Sequence, residues 1–215
     1  MKKGLLAFLA SLFVVQPAQA QALTADEFWN WFLQNKSFIE QYHKKPEAVM
    51  DAVQAKIKAV YPDLWFEIGQ DENNIYEFII SAGGLKSAIP AVVDLYKAAP
   101  QIPGWRVVAF KPRHAVTGIE HGGVEFDIKD FYYKSDYYEG LTDIGVYVRG
   151  LTKENEDTYG MAGFLFLDTV LGEYDVMTNL GNIKFFPLPE NPEQEGLKAL
   201  SGLAAEIDTR KPAPN

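Results

Sequence analysis

The chain has 215 residues, 47% of them hydrophobic and 13% aromatic, which suffices for a packed interior and excludes a disordered or low-complexity polypeptide. Its formal net charge of -9 repels nucleic acid and anionic lipid headgroups, so no nucleic-acid partner is expected. The absence of cysteine removes disulfides, thiolate metal sites, iron–sulfur clusters and cysteine nucleophiles together.

Residues 1–20 carry the pattern of a signal peptide: Lys2 and Lys3, an apolar run from Gly4 to Val15, Pro17, then Ala18 and Ala20 ahead of Gln21. The apolar run falls short of the roughly 20 residues needed to span a bilayer. Later apolar stretches are interrupted by charge, Ile75 to Ala82 by Glu77 and Val92 to Ala99 by Asp94 and Lys97, so no stable membrane insertion is expected after leader cleavage. The expectation is an exported protein, periplasmic or secreted, with residues 21–215 forming a single domain. Loss of both leader lysines takes the mature charge to about -11.

Thr24 and Glu27 have capping-box spacing, and Phe28, Trp31, Phe32, Phe38 and Ile39 form an apolar stripe, predicting a first helix to about Tyr42. Core packing against a sheet is the ordinary use of such a stripe; a partner groove is the alternative. Pro46 suits the first turn of a second helix, with Val49, Val53, Ile57 and Val60 on one face and Pro62 as its stop. Leu64 to Gly69 and Ile75 to Ser81 read as a hairpin, expected to pair Phe66 with Phe78, Leu64 with Ile80 and Ile68 with Tyr76 on one apolar face. Gly83-Gly84 ends the hairpin. A helix follows over Leu85 to Ala99, with Pro90 near its first turn, and then a strand over Trp105 to Phe110. Val124 to Ile128, Ile144 to Arg149 and Ile183 to Phe186 are further strand candidates, and Leu197 to Ile207 a last helix before a frayed tail from Lys211. Met161 to Leu171 is too uniformly apolar for a period and is assigned to helix. Hairpins with helices inserted between them indicate an α+β fold with a mostly antiparallel sheet and an N-terminal helical pair.

Several groups of residues are candidates for chemistry. His114, Glu120, His121, Glu125 and Asp127 supply metal-ligand types, but match no H-x-x-x-H or H-E-x-x-H spacing; His114 and His121 stand as weak candidates and no metal is expected. Glu67 and Glu77 face each other in the expected register. They are read either as a solvated face neutralised by Arg106 or Arg149, or as a carboxylate pair for glycosidase-like acid–base work. Asp168, Glu173 and Asp175 offer a weaker version of the same case. The segment from Phe131 to Tyr138 holds Tyr132, Tyr133, Tyr137 and Tyr138, whose rings either fill the core or form a recognition surface. No G-x-S-x-G elbow, P-loop, G-x-G-x-x-G or S-x-x-K set occurs, and no cofactor is expected. The Gly83-Gly84 amides are an anion-holding candidate, though turning the chain is the commoner role.

Phe28-Trp29-x-Trp31-Phe32, Phe66-Glu67-Ile68-Gly69, Ile79-Ile80-Ser81-Ala82-Gly83-Gly84, Ala99-Pro100-x-Ile102-Pro103-Gly104-Trp105, Phe110-Lys111-Pro112-Arg113 and Leu171-Gly172-Glu173 span most of the mature chain. In these motifs the chain resembles a set of uncharacterised bacterial proteins. The resemblance implies a shared fold and transfers no catalytic residue, cofactor or activity. The leading expectation is therefore a non-enzymatic exported module that binds a protein or small ligand through its sheet face or Tyr-rich segment. The competing expectation is a periplasmic hydrolase using carboxylates, with or without a metal.

Overall fold

The structure, a computed structural model, describes residues 22–210; the signal-peptide pattern at 1–20 and the expected frayed tail at 211–215 lie outside them. Helix α1 (Ala25–Ile39) starts where the capping box places it: the Glu27 N–H donates to Thr24 Oγ1 at 3.2 Å and the Thr24 N–H to Glu27 Oε2 at 2.8 Å. Helix α2 (Pro46–Val60) packs against it, and together they bury Phe28, Trp29, Phe32, Val49, Val53 and Ile57. Strands β1 (Trp65–Gln70) and β2 (Tyr76–Ser81) form the expected hairpin, helix α3 (Ile89–Lys97) crosses over, and β3 (Trp105–Ala109) lies parallel to β2.

The hairpin register differs from the expected one by two residues. Phe66 pairs with Ile80, Ile68 with Phe78 and Gln70 with Tyr76, so Glu67 lies opposite Ile79 instead of Glu77. The turn decides this. The Asp71 carboxylate accepts the N–H groups of Asn73 and Ile75, both at 2.9 Å, while the Asp71 N–H donates to the Ile75 carbonyl, closing the loop directly after Gln70. A slip of two keeps every side chain on its face. Phe66 and Phe78 still stack as diagonal neighbours, with centroids 5.8 Å apart.

A small hairpin, β4 (Gly118–His121) and β5 (Val124–Asp127), leads to the second half. There β6 (Phe131–Tyr138) and β7 (Leu141–Val148) are antiparallel, α4 (Glu156–Leu171) and α5 (Glu173–Asn179) cross over, and β8 (Leu180–Pro187) returns parallel to β7. The two-residue β9 (Lys198–Ala199) adds to β6, giving the order β8-β7-β6-β9, and α6 (Leu203–Arg210) closes the described chain. The fold is α+β with mostly antiparallel sheets. Both larger sheets grow by one step: an antiparallel hairpin, a helical crossover, then a third strand parallel to the second.

The buried apolar side chains fall into two clusters. One gathers α1, α2, α3 and the first sheet; the other gathers α4, α6 and the inner face of the second sheet, including Phe131, Val146, Phe166 and Leu203. Met177 of α5 belongs to the first cluster although its helix lies in the second half of the chain, so α5 joins the two lobes. Among the described residues no helix is long and apolar enough to cross a membrane.

Candidate functional site

The lobes meet at three short segments that the sequence marks with glycine, proline and charge: Ser81–Gly84, Phe110–Arg113 and Leu171–Glu173. Glu173, the first residue of α5, is fully buried. Its Oε1 accepts the Ser81 hydroxyl at 2.8 Å and the Gly84 N–H at 3.3 Å, and its Oε2 accepts the Lys111 N–H at 3.1 Å. Ser81 in turn accepts the Gly83 N–H at 3.0 Å. The anion held by the Gly83-Gly84 turn is thus a side chain of the protein itself, and three donors from the first lobe offset the burial of one carboxylate from the second.

The backbone is shaped for this contact. Gly172 has φ +81, and a Cβ there would approach the Lys111 carbonyl at 3.3 Å, so only glycine lets the chain pass from α4 to α5 this close to the first lobe. Phe110 adopts φ 64, a conformation that costs a bulky residue about 1–3 kcal/mol. It is held by its N–H on the Ile80 carbonyl at 2.8 Å and by its ring against Tyr174 at 5.0 Å. That twist aims the Lys111 N–H at Glu173. Arg113 completes the seam, donating to the Leu171 carbonyl at 2.8 Å, to Asp175 at 2.6 Å and to Asp208 at 2.7 Å.

Beside the seam lies an open cleft of about 650 Å³ with Trp65, Phe66 and Glu67 of β1 on one wall and Met161, Phe164, Leu165 and Asp168 of α4 on the other; Lys86, Lys111 and Ile183 also line it. Trp65, Met161 and Phe164 are 48%, 47% and 41% exposed, a concentration of large apolar side chains at one mouth. Lys111 Nζ pairs with Glu67 at 3.2 Å. Burial pushes the Asp168 carboxyl up to about 6; Lys111 opposes the shift, while Glu173 and Glu67 add to it.

The residues singled out from sequence are dispersed. Glu67 lines the cleft, but Glu77 does not; it pairs with Arg106, Nε to Oε1 at 2.9 Å, and Asp71 lies 3.4 Å from the same guanidinium. The Phe131–Tyr138 segment is strand β6. Tyr133 is buried and donates to Glu206 at 2.9 Å; burial and then that carboxylate push its phenol upward. Tyr132 is half-buried on the opposite face, across from Tyr147. Tyr137 and Tyr138, 54% and 70% exposed, end β6 just before the Glu139-Gly140 turn, with the Arg210 guanidinium 5.2 Å above the Tyr137 ring. His114 is exposed in the loop after Arg113, and His121 ends β4. Among the described residues no group of three or more His, Asp or Glu side chains is placed to hold a metal ion.

Asp168, Lys111 and the apolar trio were not singled out together from sequence. The available signal was the set of short motifs, since Ser81–Gly84, Phe110–Arg113 and Leu171–Glu173 all converge on the seam that builds the cleft. No protein-family model, curated protein or solved structure matches this chain.

Proposed function

We propose that this is an exported ligand-binding protein whose site is the cleft between the two lobes. One observation carries the reading: Trp65, Met161 and Phe164 stay exposed around a cavity of about 650 Å³ that also receives Asp168, Glu67 and Lys111. Apolar walls with a few converging polar groups are the ordinary composition of a small-molecule site. Exposed apolar surface of this kind brings no folding energy, so a binding role accounts for it. The competing reading, a hydrolase using carboxylates, is supported by Asp168 alone, whose carboxyl at about 6 suits a general acid near neutral pH.

A thermal-shift screen of polar and amphipathic metabolites tests the proposal. A ligand at about 100 times its Kd stabilises by about 2.7 kcal/mol, which lifts the Tm of a chain this size by about 5–10 °C. Ligands should produce that shift in the wild type and lose it in Trp65→Ala/Phe164→Ala, each shift being read against that protein's own unliganded Tm. Shifts that persist in the double variant, or none in the wild type, would refute the assignment.

A further inference from the structure

We infer that the cleft takes a small organic ammonium ion, with its apolar or aromatic body against Trp65, Met161 and Phe164 and its N–H groups on the Asp168 carboxylate. The inference rests on the reading of the cleft as a ligand site and adds the chemical class of what fills it.

The carboxylate without a partner selects the head group. Glu67 and Asp168 face Lys86 and Lys111 around the cleft, an even count, with the buried Glu173 behind them in the seam. Their partners are unequally shared. Lys111 Nζ is on Glu67, and the Glu173 carboxylate is satisfied by a hydroxyl and two backbone N–H groups. Among the described residues no donor lies within hydrogen-bond distance of the Asp168 carboxylate. Nor is it sealed away, since no side-chain oxygen among the described residues is fully buried without a partner. Its free lone pairs therefore open on the cleft. A carboxylate kept out of bulk water with no internal donor is complemented best by a donor that also carries positive charge.

The alternatives fit worse. An anionic ligand would meet Asp168 and Glu67 as well as Lys86, Lys111 is already held by Glu67, and the amides of Gly83 and Gly84 already donate to Ser81 and Glu173. A cation seated on the aromatic face of Trp65 would compete with Lys58, whose Nζ lies 4.4 Å from that ring. This leaves Trp65 to pack against the body of the ligand and Asp168 to receive its head.

The groups facing Asp168 also set a pH dependence. Burial, Glu67 and Glu173 favour its neutral form and Lys111 opposes them, so it loses its charge as pH falls through about 6. An ammonium ligand binds the ionised form. Affinity should be flat above that pH and fall about tenfold per unit below it.

Isothermal titration calorimetry with 2-phenylethylamine, 2-phenylethanol and 3-phenylpropionate, three probes sharing one aromatic body, tests this on the purified protein. At pH 8 the amine should bind at least tenfold more tightly than the alcohol, and the acid most weakly. Asp168→Asn should erase the preference and flatten the pH profile, while Lys111→Met, which removes the opposing cation, should tighten the amine. Alcohol or acid binding as well as the amine overturns the ammonium assignment. So does a wild-type pH profile without the fall below 6, which needs no variant to measure. If none of the three binds while the metabolite screen yields cleft-dependent ligands, the ammonium class fails and the cleft stands; no binding in either experiment overturns both.

Discussion

Asp168 and Glu173 lie five residues apart in sequence and illustrate opposite ways to bury a carboxylate. Glu173 is matched donor for acceptor, so its charge is offset by geometry. Asp168 is not matched, and its folded value of about 6 against an ordinary 3.8 means that ionising it opposes folding. The sign follows from linkage. The penalty is absent below the ordinary value, grows as pH rises through the interval, and is fully present above about 6. Allowing for solvent screening, Asp168→Asn should stabilise the protein at pH 8 by about 1–2 kcal/mol, or about 3–6 °C in Tm. The gain should shrink toward pH 4, as thermal melts across that range would show. An unstabilised variant at pH 8 would mean that Asp168 is solvated, contrary to its place in the cleft wall. A residue kept at a cost to stability in a cavity wall is what a functional site predicts.

At the scale of elements, periodicity made most of the fold legible and its limits explain the rest. Helix α1 announces itself by its capping box and stripe and α2 by Pro46 in its first turn and its stripe, and the faces of β1 and β2 follow from alternation even though their register hangs on one turn residue, Asp71. Strand β6 is hidden because Tyr serves both faces: Tyr133 is buried while Tyr132 and Tyr138 reach outward, so no apolar alternation appears. Helix α5, with seven residues, is too short to show a period. The stretch from Leu197 was expected to be helix throughout, yet Lys198–Ala199 pairs with β6 and α6 begins only at Leu203. Strand β9 exists only through its partner, which no local pattern encodes. The cleft is illegible for the same reason, since β1 and α4 meet only after folding. Helix α6 is docked on β6 through Glu206, which Tyr133, Ser135, Lys198 and Arg210 all approach. Burial pushes the Glu206 carboxyl up, but the hydrogen bonds from Lys198, Ser135 and Tyr133 and the charge of Arg210 outweigh it and lower it to about 2. A depressed carboxylate stabilises the fold above its ordinary 4.5 and loses that contribution as pH falls through about 2. Glu206→Gln should therefore cost about 2 kcal/mol at pH 6 in urea denaturation, with the gap to wild type closing between pH 4.5 and 2. A gap that stays constant over that window would assign the loss to packing instead of charge.

Across the whole molecule, two lobes built by the same strand–strand–helix–strand step have separate cores, and the cleft lies beside the seam that joins them. The fastening is polar at Glu173 and Arg113 and apolar at Met177, which reaches from α5 into the first core. The cavity beside the seam keeps its shape only while that fastening holds. Removing the Glu173 side chain leaves the Ser81 hydroxyl an unpaired donor in a buried position and the N–H groups of Gly84 and Lys111 unpaired in a partly buried one, a loss of about 1–3 kcal/mol. The loss falls on the junction and not within either core, so its main effect should be on cooperativity. Wild-type protein should melt in one calorimetric transition, its lobes coupled through the seam. Glu173→Ala should resolve into two, with the first lobe's tryptophan fluorescence reporting only one of them, because all four tryptophans belong to the first lobe. Glu173→Gln retains the volume and one acceptor but turns an N–H toward a donor, so it should weaken the coupling without abolishing it. A single, unshifted transition in Glu173→Ala would show that Met177 and Arg113 suffice to join the lobes, and that the cleft does not depend on the buried carboxylate.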